Sequence, residues 1–90
     1  MLPKNRPPTL PGEILLEEFL NPLGMTQMEL ASRMGVPIQR VNGLVAGRRA
    51  VTPETAILLS RVLGTTPEFW MNLQTSHDLW IAERHLAKAS

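Results

Sequence analysis

Gln39, Arg40 and Asn42 stand close together in the stretch MGVPIQRVNGLVAGRR, residues 34–49, and Arg48 and Arg49 close it. Amides and guanidinium groups are poor catalysts and good readers. A Gln or Asn side chain pairs bidentately with adenine N6 and N7, and Arg with guanine O6 and N7, each worth about 1–3 kcal/mol of discrimination. Arginines that follow such a set can neutralise phosphates, and Gln27, a few residues upstream, can hydrogen-bond one. Groups suited to catalysis are sparse by comparison. His77 and His85 are the only histidines, eight positions apart, and there is no cysteine. That removes disulfides and thiolate sites and leaves neither zinc spacing nor an HExxH. With no Gly-rich phosphate loop and no nucleophile elbow, the sequence points to binding without enzyme activity, cofactor or metal.

The amides need a rigid element to present them. Only Gly35, Val36 and Pro37 separate the helix ending at Met34 from the one starting at Pro37 or Ile38. Two short helices joined by so short a glycine-containing turn are a helix-turn-helix candidate. At about 100° per residue, Ile38, Val41, Leu44 and Val45 share one side of the second helix, which faces the core. Gln39, Asn42, Gly43 and Ala46 share the other, with Arg40 at its flank. Glycine inside a helix costs on the order of 1 kcal/mol relative to alanine. On the outward face, Gly43 reads as clearance for a close approach to bases.

The remaining elements follow from caps and periodicity. Pro11-Gly12 opens a first helix over about 12–20, with Leu15, Leu16, Phe19 and Leu20 on one stripe and NPLG at its end. Thr26 caps the second helix, with Glu29 placed as in a capping box and Met25 and Leu30 as a hydrophobic staple. Leu30, Ala31 and Met34 form its buried face, and Gly35 suits a left-handed stop. Thr52-Pro53-Glu54 and Thr66-Pro67-Glu68 repeat one start signal: a threonine cap, a proline at the first helical position and an acid favoured by the dipole. The fourth helix spans about 53–63, burying Ile57, Leu58, Val62 and Leu63. The fifth begins at Pro67 and either continues to Ala87 or breaks near Thr75-Ser76-His77. No strand pattern is present, so the fold class is all-α, with five helices.

The chain has 90 residues, 43% of them hydrophobic, and a net charge of +1. That length makes a single domain. Residues 33–61 carry five arginines against Glu54, a net of +4, and the rest carries −3. A basic middle between acidic flanks favours one face for a polyanion. Residues 1–10, with three prolines and no periodicity, read as a flexible arm. No run approaches the roughly 18 apolar residues of a membrane span. The expected location is the cytoplasm, with no membrane partner.

GEILLEEFL, MTQMELASRMGV, VAGRRAVTPETAILLSRVLGTTPEFWMNLQ and DLW resemble the HigA (VapI-type) addiction-module antitoxins, of the XRE-type, lambda-repressor-like helix-turn-helix class. The resemblance covers about residues 11–84. It implies a five-helix lambda-repressor-like domain with a long C-terminal helix: a helix-turn-helix core over 11–66 and a dimerising segment over 67–90. It also implies a homodimer that represses its own operon at a near-palindromic site and neutralises a HigB-type, RelE-like mRNA endoribonuclease. The DNA-facing set becomes Gln27, Pro37, Gln39, Arg40, Asn42, Gly43, Arg48 and Arg49. Ala46 stands where the family commonly has asparagine, and His77 where it has tyrosine before DLW. Trp70, His77, Trp80, Ile81 and Arg84 are the expected dimer contacts, and Glu13, Glu17 and Glu18 a candidate toxin contact. The alternatives are a stand-alone XRE-type regulator without a toxin, and an interaction module that has lost DNA binding.

Overall fold

Threonine hydroxyls mark three of the helix starts. Thr26 Oγ1 accepts the Glu29 N–H at 3.0 Å, Thr52 Oγ1 that of Thr55 at 3.3 Å, and Thr66 Oγ1 that of Phe69 at 3.1 Å. Each satisfies a backbone donor that the first helical turn leaves without a partner. The computed structural model describes residues 7–89, and there the chain forms five helices. The first six residues of the expected arm lie outside the described residues. Residues 7–10 carry no regular structure, and Leu10 is half-buried.

Helix α1 runs over residues 11–23, starting one residue earlier and ending three later than its apolar stripe predicts. Pro11–Ile14 and Asn21–Leu23 are α-helical, whereas Leu15–Leu20 is π-helical, with the Asn21 N–H donating to the Leu16 carbonyl five residues back. Pro22 has no N–H and its ring crowds the carbonyl four residues earlier. The widened turn just before it carries the helix past the proline to a left-handed stop at Gly24. Helix α2 is Gln27–Met34, α3 Ile38–Val45, α4 Pro53–Leu63 and α5 Pro67–Ala89. The last is unbroken through Thr75-Ser76-His77.

The core gathers Leu15 and Leu20 from α1, Leu30, Ala31 and Met34 from α2, Val41 and Leu44 from α3, Ala56 and Leu59 from α4, and Trp70 from α5. Helix α4 turns a different face inward from the one expected. Thr55, Ala56 and Leu59 are buried, Leu58, Val62 and Leu63 half-buried, and Ile57 remains 40% exposed. The apolar arc of α4 is broader than the strip it can bury. Its small residues Thr55 and Ala56 take the inner position, where α4 packs against α2 and α5. Trp70 also departs from expectation. It is fully buried between Phe19 and Phe69, with ring centroids 5.3 and 4.9 Å away, and its Nε1 donates to Thr65 Oγ1 at 2.7 Å. An indole whose body is enclosed and whose N–H is satisfied is a core anchor, so Trp70 is not a dimer contact.

Candidate nucleic-acid interface

The turn between α2 and α3 is built by Gly35 at φ 72°, whose N–H donates to Ser32, while the Val36 N–H reaches the Ala31 carbonyl at 3.0 Å. This left-handed stop closes α2, and Pro37, in extended conformation, starts α3. Of the α3 side chains, Val41 and Leu44 are buried and Ile38 and Val45 half-buried. Gln39, Asn42 and Ala46 are exposed, as the periodicity requires, and Pro37 is exposed beside them. Gln27, the first residue of α2, is half-buried.

Gly43 is buried, which corrects its place on an open face. The cause lies just after the helix. Gly47, at φ 76°, turns the chain back so that the N–H groups of Arg48 and Arg49 both donate to the Gly43 carbonyl, at 2.9 and 3.1 Å. The Arg49 stem then lies across Gly43, and the missing Cβ leaves room for that stem. Arg48 and Arg49 themselves are exposed.

Two residues whose packing roles the sequence does not reveal hold this corner. Gln74, buried on α5, accepts the Val51 N–H through Oε1 at 2.8 Å and donates from Nε2 to Asp78 at 2.9 Å. It thereby ties the arginine-bearing loop to the last helix. An amide interrupting an apolar stripe is the only cue the sequence holds. Gly12 is the other: a Cβ there would fall 1.8 Å from the Leu44 carbonyl oxygen. Only a glycine lets the start of α1 lie this close to the end of α3. Arg40, expected at the flank of the reading face, is half-buried, and its Nη1 lies 3.1 Å from Glu54 Oε1 on α4. From the sequence alone Glu54 reads only as an acid at a helix start.

The remaining candidates lie away from α3. Glu13, Glu17 and Glu18 are exposed on α1. Ile81 is 48% exposed, and Trp80 is half-buried beneath the Arg84 guanidinium, 4.8 Å from its ring centroid. His77 is half-buried, with Nδ1 3.4 Å from the Pro8 carbonyl oxygen. No helix of the described residues is long and apolar enough to cross a membrane.

The Helix-turn-helix family profile matches residues 16–70. The chain is 47% identical over 77 residues to antitoxin HigA-1 of Vibrio cholerae, covering 86% of this chain and 71% of that protein. It is 45% identical over 80 residues to an uncharacterized HTH-type transcriptional regulator of Haemophilus influenzae, covering 89% and 75%. Among solved structures it is similar to antitoxin GraA in complex with its operator, with a TM-score of 0.86, 42% identity, and coverage of 99% of this chain and 90% of that one.

Proposed function

The chain belongs to the helix-turn-helix family and, within it, to the HigA antitoxins, and on that basis we infer that it is a sequence-specific DNA-binding repressor of its own operon and the antitoxin of a type II module. The observation that carries the DNA reading is the exposed face of α3. Gln39 and Asn42 stand outward from a helix whose other side is core, and Arg48 and Arg49 follow at its end. In the major groove the two amides would address base edges, while Arg48, Arg49 and the start of α2 at Gln27 would meet phosphates. That antitoxin GraA, similar in fold and sequence, is found in complex with its operator supports the DNA reading as a whole.

A two-fold dimer through the distal part of α5, with Trp80, Ile81 and Arg84 at its contact, would set two α3 helices about 34 Å apart on a near-palindromic operator. The protein partner proposed is a HigB-type, RelE-like endoribonuclease, and the exposed carboxylates of Glu13, Glu17 and Glu18 are the surface proposed to meet it. The Haemophilus relative, named a transcriptional regulator, favours a second reading in which the same fold regulates without a toxin.

The test is titration of the protein against its own promoter and a scrambled duplex at several salt concentrations. A steep loss of affinity with salt and a preference for the promoter are expected. Binding indifferent to both would reject the DNA assignment. Co-expression with the adjacent reading frame separates the two readings: growth rescue and co-purification mark an antitoxin, and their absence a stand-alone regulator.

A further inference from the structure

Arg40 does not stand free on α3. Its Nη1 lies 3.1 Å from Glu54 Oε1, joining the first turn of α3 to the first turn of α4, and its side chain is 32% exposed where that of Glu54 is 75% exposed. An ion pair this open to water contributes about 0–1 kcal/mol to stability. Glu54 is also favoured at the positive end of the α4 dipole without any partner. Folding alone therefore gives little reason for the contact.

The consequence lies at the interface. A guanidinium has five N–H donors in one plane, and a carboxylate on one nitrogen leaves others for a second acceptor. Tethering fixes the side chain before DNA arrives, so less rotamer entropy is lost on binding. The carboxylate also offsets the positive charge, weakening the pull of phosphates, which carry no sequence information. Arg49 lines the same cleft and has no ion-pair partner among the described residues, so it keeps its charge for the backbone. Two arginines in one cleft are thus given different tasks by a single carboxylate.

We propose that Glu54 is a positioning, specificity-determining residue that holds Arg40 for a base edge and withholds it from phosphate. This rests on the DNA-binding reading of α3. The test uses the full chain with Glu54→Gln, Arg40→Ala and the double variant, each shown by circular dichroism to be folded. Binding to the promoter and to a scrambled duplex is measured by fluorescence anisotropy across a salt series. In Glu54→Gln the ratio of promoter to scrambled affinity falls about five-fold, the low end of one bidentate arginine–guanine pair. The salt slope on scrambled DNA steepens by about 0.9, because the released Arg40 takes a phosphate. Both changes vanish in the Arg40→Ala background. An unchanged ratio, or the same change without Arg40, overturns the role of Glu54 and leaves the DNA reading standing. A wild-type protein with no preference for its promoter overturns both.

Discussion

Arg49 lies across Gly43. A Cβ on that glycine would sit 2.9 Å from Arg49 Cγ and 3.0 Å from Cδ, closer than carbons pack, so Gly43→Ala must displace the arginine. Two effects then oppose each other in the fold. Alanine favours the helix by about 1 kcal/mol, while moving a flexible stem costs a similar amount. The melting temperature is expected to change little. Promoter affinity should fall about three- to ten-fold, and in an Arg49→Ala background the further loss on adding Gly43→Ala should disappear. A full loss that persists without Arg49 would show that Gly43 meets DNA directly.

Gly12 is the opposite case, because its neighbour is backbone. The Leu44 carbonyl oxygen, 1.8 Å from where a Cβ would fall, cannot swing aside as a side chain can. Gly12→Ala should force α1 and α3 apart at a cost of about 2–3 kcal/mol. For a domain of this size that lowers the melting temperature by roughly 10–20 °C. A melting temperature within a few degrees of wild type would show that the two helices separate freely.

Gln74→Met keeps the bulk of the side chain and removes the acceptor of the Val51 N–H, which is buried. Leaving that donor unsatisfied costs about 1–3 kcal/mol. The loss should be local first: the Val51 amide should lose hydrogen-exchange protection before Leu59 in the core does. Arg48 and Arg49 ride on the loop that Gln74 anchors, so promoter affinity should fall with it. Unchanged protection at Val51 would mean that the loop is held by something else.

What could be read along the chain was whatever local spacing controls. The hydroxyls of Thr26, Thr52 and Thr66, the left-handed stop at Gly35 and the outward Gln39 and Asn42 each depend on residues a few positions away. What escaped depends on residues far apart in sequence. Gln74 meets Val51 across 23 positions and Arg40 meets Glu54 across 14. Gly43 shows the limit clearly: periodicity placed it beside Asn42 correctly, but could not show that the chain after Gly47 doubles back over it. The burial of Trp70 escaped for a related reason, since the ring it packs on, Phe19, comes from α1, 51 positions earlier.

Gln39 and Arg48 should separate reading from anchoring. Gln39→Ala removes an outward amide on α3, so it should relax preference at one base pair by about 1–3 kcal/mol and leave other positions unchanged. Arg48→Ala should weaken all sequences alike and reduce the salt slope by about 0.9. Binding measured over a set of single-base promoter variants at two salt concentrations distinguishes them. Uniform weakening by Gln39→Ala would remove that residue from the reading set.

The contrast between a core half of α5 and the distal half proposed to meet a second copy predicts opposite behaviour for two of its hydrophobic residues. Trp70 is fully buried within the protomer, so Trp70→Ala should cost about 3–5 kcal/mol and threaten folding itself. Ile81 is 48% exposed on the distal half, with Leu79 at 56% nearby, so little of the protomer's own packing depends on it. Ile81→Lys should leave the helical content intact and place a charge where a second copy would bury a methyl group. If wild type forms the proposed dimer, sedimentation should then report a monomer for the variant, and the concentration dependence of the melting temperature should vanish. Promoter binding should weaken with it, since two half-sites can no longer be engaged together. A dimer that survives Ile81→Lys would move the contact off this part of α5.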